Sequence, residues 1–480
     1  MRILLASSEV YPYSKTGGLG DAVGALAKAL VKAGHEVVVV TPLHRGVREK
    51  LPGLRRVEWK FDLPLGAKRE NAELLALEVG KGLTVYFIDK PAYFDRAGIY
   101  SDGRGDFADN AERFIFFSKC VTHLAQHLPF KPDVLHVHDW PTGLIPLLVQ
   151  QEHRSGKWPK PPRLCLTIHN LAYQGLFPKA MFALTNLPNN LFHAETMEYY
   201  GQMNFLKAGI ACADVITTVS PRYAREITTQ EFGSGLDGLL RKRQNVLTGI
   251  LNGVDYEEWN TTANPLLAAT FSATDISGKA ACKAALQKRF GLKVAADIPV
   301  FGSVTRLADQ KGIDLALGAL EEVLDSDFQF VLLGSGSENY ERALRGLAER
   351  NPGKVAVQLS YDHALAHQIE AGSDFFLMPS RFEPCGLNQL YSLRYGAIPI
   401  VRRTGGLDDT VVDAADNVSL ANGIKFLEPT PQALAKAIRK ALLLFQDKEL
   451  LAQYRTTGMA ANFSWSNAVR ELESAYGRKG

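Results

Sequence analysis

Lys15-Thr16-Gly17-Gly18-Leu19-Gly20-Asp21 sets a lysine against closely spaced glycines, between an apolar run at Ile3–Ala6 and a helical pattern. A strand, a glycine-rich turn and a helix N-terminus together suit an anion: the glycines let backbone N–H groups approach, and the helix end adds positive potential. Further polar groups follow other apolar runs. They are His136, His138 and Asp139, then Thr167, His169 and Asn170, in the first half, and Thr305, Arg306, Asp309, Gln310 and Lys311, then Ser380, Arg381 and Glu383, then Thr404, Gly405 and Gly406, in the second. Lys15, Arg306 and Lys311 are cations suited to a diphosphate, and Asp139, His169 and Glu383 are hydrogen-bonding groups suited to a sugar.

Taken singly, each feature has a plainer reading. A glycine-rich turn after a strand is often only a tight turn. His136 and His138 lie two apart, so a strand would place them on one face, but no third ligand at a suitable spacing accompanies them, and structural histidines are expected rather than a metal pair. Arg306 and Lys311 could be solvated charges, and Glu383 could sit before the helix expected at Gly386–Tyr395 for its dipole alone. The weight comes from all of these groups ending strands.

The strands expected are Ile3–Ala6, Val37–Thr41, Val85–Ile88, Val134–Val137, Leu164–Ile168 and Val215–Val219, then Val300–Val304, Phe328–Leu333, Val355–Leu359, Phe375–Met378 and Ile398–Val401. They are short, β-branched and not strictly alternating, as strands covered on both faces are. Helical patterns fall between them. The first, Asp21–Ala33, puts Val23, Leu26, Ala27 and Leu30 on one stripe and ends at Gly34. Repeated βαβ units predict an α/β protein of two doubly wound Rossmann-like domains facing across a deep cleft. The expected division is 1–245, 246–460, and a final segment 461–480 whose helix, Trp465–Tyr476, crosses back to the first domain. Leu187–Phe205 is expected to be a loop.

Length and composition agree with this. A chain of 480 residues exceeds one ordinary core. With 54 basic and 51 acidic residues the balance is too near neutral to argue for nucleic acid or an anionic membrane. The five cysteines show no C-x-x-C spacing, which points to a reducing compartment. Met1–Ala6 reads as a strand, not a signal peptide, and no apolar run is long enough to span a bilayer, so a cytoplasmic location is expected.

The motifs in order resemble those of the bacterial glycogen synthases of the ADP-glucose type, related to plant starch synthases. The resemblance rests on Lys15–Asp21, His138-Asp139-Trp140, Thr167–Gly175, Leu251–Trp259, Arg306 with Gln310-Lys311-Gly312, Pro379–Gly386 and Arg402–Leu407, and it covers nearly the whole chain. It implies a retaining glycosyltransferase of the B fold that moves glucose from ADP-glucose to the non-reducing end of an α-1,4-glucan without a metal or other cofactor. By the same resemblance, Lys15, Gly18, Asp21 and Asn170 would serve the donor from the first domain. Arg306, Lys311, Tyr361 (stacked on adenine), Cys385, Gly386, Thr404, Gly405 and Gly406 would serve it from the second. Asp139 and His169 would lie beside the transferred glucose, Glu383 would bind its hydroxyls, and Tyr93 or Phe94 would contact the acceptor. Position 391, where many relatives of this fold carry a second glutamate, is Tyr391. Such a reaction must exclude water, or ADP-glucose would hydrolyse, so closure of the two domains on the donor is expected, with hinges near residues 241–250 and at the crossing into the final helix. Two other readings stay open: a transferase of the same fold using another nucleotide sugar such as UDP-glucose, and a non-catalytic glucan-binding protein. The second would be marked by loss of Lys15, His169, Arg306, Lys311 or Glu383, all of which are present.

Overall fold

Continuous apolar runs can be strands only if both faces of their sheet are covered, and both halves of the chain solve this in the same way. The structure is a computed structural model and describes residues 1–103 and 105–477. It divides into two compact units, one formed by Met1–Gly253 with the last helix, the other by Val254–Ser464.

In the first unit, seven strands run parallel in the order Leu247–Gly249, Val215–Thr218, Arg163–Ile168, Val134–His138, Arg2–Ala6, Glu36–Pro42 and Leu83–Asp89. Two antiparallel strands, Glu73–Glu78 and Arg55–Val57, extend the far edge. The first helix, Gly18–Lys32, buries Val23, Leu26, Ala27 and Leu30 as the stripe predicts. The last helix, Trp465–Gly477, joins the same core through Trp465, Val469, Leu472 and Tyr476. The boundary falls at Gly253 and not at 245 because Leu247–Gly249 pairs with Val215–Thr218 and completes this sheet. Leu187–Phe205 is not simply a loop: Glu198–Tyr199 and Gln202–Asn204 pair as a hairpin, which Leu176–Pro178 joins.

The second unit is wholly parallel, in the order Val355–Gln358, Gln329–Leu333, Val300–Val304, Phe375–Met378, Ile398–Arg402 and Ile424–Phe426. Both faces are covered. Phe330 and Leu332 point into one apolar cluster, and the alternate residues Val331 and Leu333 point into another. Numbered by sequence, this order is 3-2-1-4-5-6. The direction of winding therefore reverses between Val300–Val304 and Phe375–Met378, and in such sheets ligands bind beyond the carboxyl ends of the strands at that reversal.

Candidate active site

In the second unit the two strands at the reversal lead into Thr305-Arg306 and into Pro379–Glu383. Glu383 is buried, and its carboxylate accepts from Lys311 Nζ at 2.6 Å and from Ser380 Oγ at 2.9 Å. Lys311 is placed by a short turn, Asp309–Lys311, that ends at Gly312 in the left-handed region. A Cβ on Gly312 would stand 2.2 Å from the Pro379 carbonyl, so only glycine lets the two loops touch. The result is a cation–carboxylate pair at the carboxyl ends of the strands where the winding reverses. Arg306 is exposed nearby in sequence, and no residue among those described takes its guanidinium. Tyr361 is 68% exposed.

Thr404 immediately precedes the helix Gly405–Thr410. Gly406 donates its N–H to the carbonyls of Glu383 (3.0 Å) and Pro384 (3.2 Å). That amide therefore fixes the Glu383 loop, where the resemblance implies a donor to the diphosphate or the sugar. Gly405 has φ +44°, and a Cβ there would lie 1.9 Å from the Glu383 carbonyl oxygen. Gly405→Ala is accordingly expected to destabilise the protein by about 1–3 kcal/mol through overpacking and to lower activity by displacing Glu383. Unchanged melting temperature and turnover would show that the contact gives way freely. Cys385 is buried, and Gly386 has φ +70°, with Gln389 donating to the Cys385 carbonyl at 2.9 Å. The helix that follows spans Asn388–Arg394, shorter than the Gly386–Tyr395 expected. Tyr391, where a second carboxylate would stand in many relatives, lies on this helix as a buried ring stacked on Trp259 at 3.6 Å.

In the first unit the winding reverses between Arg2–Ala6 and Val134–His138, and the carboxyl ends of these strands carry Glu9 and Asp139. Asp139 has φ +57°, which turns its carboxylate toward the next strand end, where Oδ1 accepts from the amides of His169 (2.6 Å) and Asn170 (3.4 Å). Burial nevertheless pushes the Asp139 carboxyl up to about 7, because those two amides offset only part of its desolvation. The linkage follows directly. From near 3.8, where the unfolded side chain ionises, up to about 7, the native state holds a proton that the unfolded chain has released, so stability present at acid pH is lost as pH rises through this window. Asp139→Asn is expected to flatten that dependence, read as melting temperature against pH. Parallel curves for the two proteins would contradict it.

His169 Nε2 lies 3.0 Å from His138 Nδ1, and burial lowers His169 to about 3, so the imidazole is neutral. His136 engages Tyr476 Oη (2.8 Å) and Thr167 Oγ1 (2.6 Å) through its two ring nitrogens, a structural role, and burial lowers it likewise to about 3. His136, His138, His169, Asn252 and Trp465 help line a cavity of about 20 Å³, room for a single water molecule.

The glycine turn holds a residue that the sequence reading missed. Glu9 accepts from the amides of Thr16 and of Gly17 (3.2 Å), and Tyr100 Oη donates to it at 2.7 Å. The group cradled by these amides is thus the protein's own carboxyl, with its pKa raised by desolvation. The only signal in sequence was a carboxylate just past the first strand. Lys15 Nζ binds both Asp21 oxygens (3.0 and 3.2 Å), so these two residues reach the site as a pair, while Gly18 begins the helix.

Tyr93 and Phe94 do not offer an acceptor surface. Phe94 is 0% exposed and packs edge-on against Phe117, and Tyr93 is buried with its hydroxyl donated to Glu112. The cause is Arg113, a fully buried side chain that donates to the carbonyls of Tyr93 (2.7 Å) and Ile99 (3.0 Å) and so draws this segment inward. The exposed aromatic closest in sequence to Asn170 is Tyr173.

Comparison with known proteins gives a consistent set of likenesses. Residues 2–242 match the starch synthase catalytic domain and residues 286–458 match the glycosyl transferases group 1. The chain is 49% identical to a glycogen synthase of Anaeromyxobacter dehalogenans (strain 2CP-C) and 44% identical to that of Opitutus terrae, with 99% of both chains covered in each case. Among solved structures, the catalytic domain of starch synthase IV from Arabidopsis thaliana, bound to ADP and acarbose, aligns with a TM-score of 0.91 at 34% identity, covering 100% of this chain and 99% of that one.

Proposed function

Because this chain belongs to the glycogen synthase family and has the two-domain glycosyltransferase B fold, we propose that it transfers glucose from ADP-glucose to the non-reducing end of an α-1,4-glucan, with retention, through the strand-end residues described above. The observation that carries this reading is the Lys311–Glu383 pair at the reversal of the second sheet. There, Lys311 and Arg306 meet the diphosphate, Tyr361 meets the adenine, and Glu383 accepts from the sugar hydroxyls. Thr404 offers its hydroxyl, and Gly405, Cys385 and Gly386 shape the loop. In the first unit, Lys15, held by Asp21, with Gly18 and Asn170 suits the donor, and Asp139 and His169 suit the transferred glucose.

The leaving group is a nucleoside diphosphate, so the main requirement is to stabilise the charge that develops on its phosphate. Two cations do this. As the bond from the anomeric carbon to the phosphate oxygen breaks, the sugar gains oxocarbenium character. The acceptor hydroxyl attacks the same face and forms the new glycosidic bond, and its proton passes to the departing phosphate oxygen. The His169 main-chain carbonyl steadies the cationic centre, a role consistent with an imidazole that stays neutral. Five buried cysteines with no disulfide among the described residues fit a reducing compartment, and we place the enzyme in the cytoplasm.

The test is incorporation of labelled glucose into glycogen, with ADP-glucose and UDP-glucose side by side. The expected result is transfer from ADP-glucose with a clear preference over UDP-glucose. Equal or better transfer from UDP-glucose would replace this reading with the other donor, and no incorporation from either would favour a glucan-binding protein.

A further inference from the structure

His363 and His367 are one turn apart on the helix His363–Gly372, so both imidazoles lie on one side of it. Glu258 faces them from the segment before Trp259, with its Oε1 3.4 Å from His363 Nε2. One ligand atom from each of the three residues falls within 4.8 Å of the other two. Tetrahedral zinc, with bonds of about 2.0–2.1 Å to nitrogen and oxygen, spaces its ligand atoms about 3.4 Å apart. The first pair already has that spacing, and the third needs only a small rotation.

The groups behind His367 can accommodate the ring form that binds metal. Tyr395 Oη donates its proton to the Asn260 carbonyl at 3.1 Å and lies 2.8 Å from His367 Nδ1. Where Tyr395 accepts from Nδ1–H, the lone pair of His367 falls on Nε2, and Asn264 Nδ2, 3.1 Å from the same Nδ1, turns its N–H to Tyr395 Oη at 3.1 Å. Metal-bound histidines are oriented in this way, by a hydrogen bond from the nitrogen that does not coordinate. The ring is also held flat against Trp259, with centroids 4.0 Å apart and planes at 15°, and Trp259 stacks on Tyr391 in turn. In-plane coordination would leave both stacks undisturbed.

We propose that Glu258, His363 and His367 form a binding site for a single divalent transition-metal ion, zinc fitting best, with a fourth position open to water. Two nitrogens and one carboxylate suit zinc, cobalt or nickel and not magnesium, which prefers oxygen ligands. The ion would tie the segment at Glu258 to the start of the helix that follows Tyr361, acting as a brace and taking no part in glucosyl transfer.

Full-length protein stripped with a chelator and dialysed against micromolar zinc should retain about one zinc per chain and melt at a higher temperature than the stripped form. Cobalt should give the visible absorption of a four-coordinate site. His363→Ala, at a partly exposed position where folding is not at risk, should abolish both effects while leaving the melting temperature of the metal-free protein near that of the parent. Glu258→Gln should weaken binding without abolishing it. Absence of bound zinc in the parent protein, or equal zinc retention by His363→Ala, would overturn the proposal. Either readout is independent of glucosyltransferase activity.

Discussion

Glu383→Ala is expected to lower turnover by at least ~100-fold, the scale of losing a contact made in the transition state. The loop should survive the change. Its main chain is fixed by the Gly406 amide on the Glu383 carbonyl, which the substitution leaves in place. What disappears is the carboxylate held by Lys311 and Ser380. A ligand hydroxyl would then find no acceptor there, and Lys311 would lose the group that positions its ammonium. Loss of kcat with little change in KM for the donor would mark an interaction formed mainly in the transition state. Near-normal turnover would remove Glu383 from the mechanism.

Lys311→Ala should be of similar size, about 10²–10³-fold in kcat, because the charge that develops on the departing diphosphate loses one of its two cations. It also leaves the buried Glu383 carboxylate with Ser380 alone, and breaking a buried pair in this way is costly in itself. The two substitutions should therefore not add. Groups sharing one network show coupling of about 0.5–3 kcal/mol in a double-mutant cycle, and Lys311→Ala with Glu383→Ala should fall well short of the product of the single effects. Strict additivity would mean that the 2.6 Å pair has no part in catalysis.

The parallel strands were legible because burial on both faces makes them continuous apolar runs, such as Val37–Val40 and Phe375–Met378. Edge strands lacked that signal. Arg55–Val57 is largely polar, and Ile424–Phe426 is short and follows a glycine. The polar groups at strand ends were legible as candidates for a related reason, since a doubly wound sheet binds its ligands there. Long-range contacts were not. Nothing near Glu9 in sequence shows that its carboxylate bends back to the amides of Thr16 and Gly17, or that Tyr100 closes over it. Phe94 looked like an aromatic available to a sugar because the buried guanidinium that pulls its segment inward comes from Arg113, on a separate helix. The Gly406 amide suited a phosphate until its partner proved to be the Glu383 carbonyl.

We propose that the second unit binds a nucleoside diphosphate at the reversal of its sheet, with Arg306 and Lys311 on the phosphates. A crystal structure with ADP bound tests it most directly. The account predicts phosphate oxygens within hydrogen-bonding distance of both side chains and the adenine against Tyr361. Well-ordered ADP bound elsewhere, with Arg306 and Lys311 facing solvent, would contradict it.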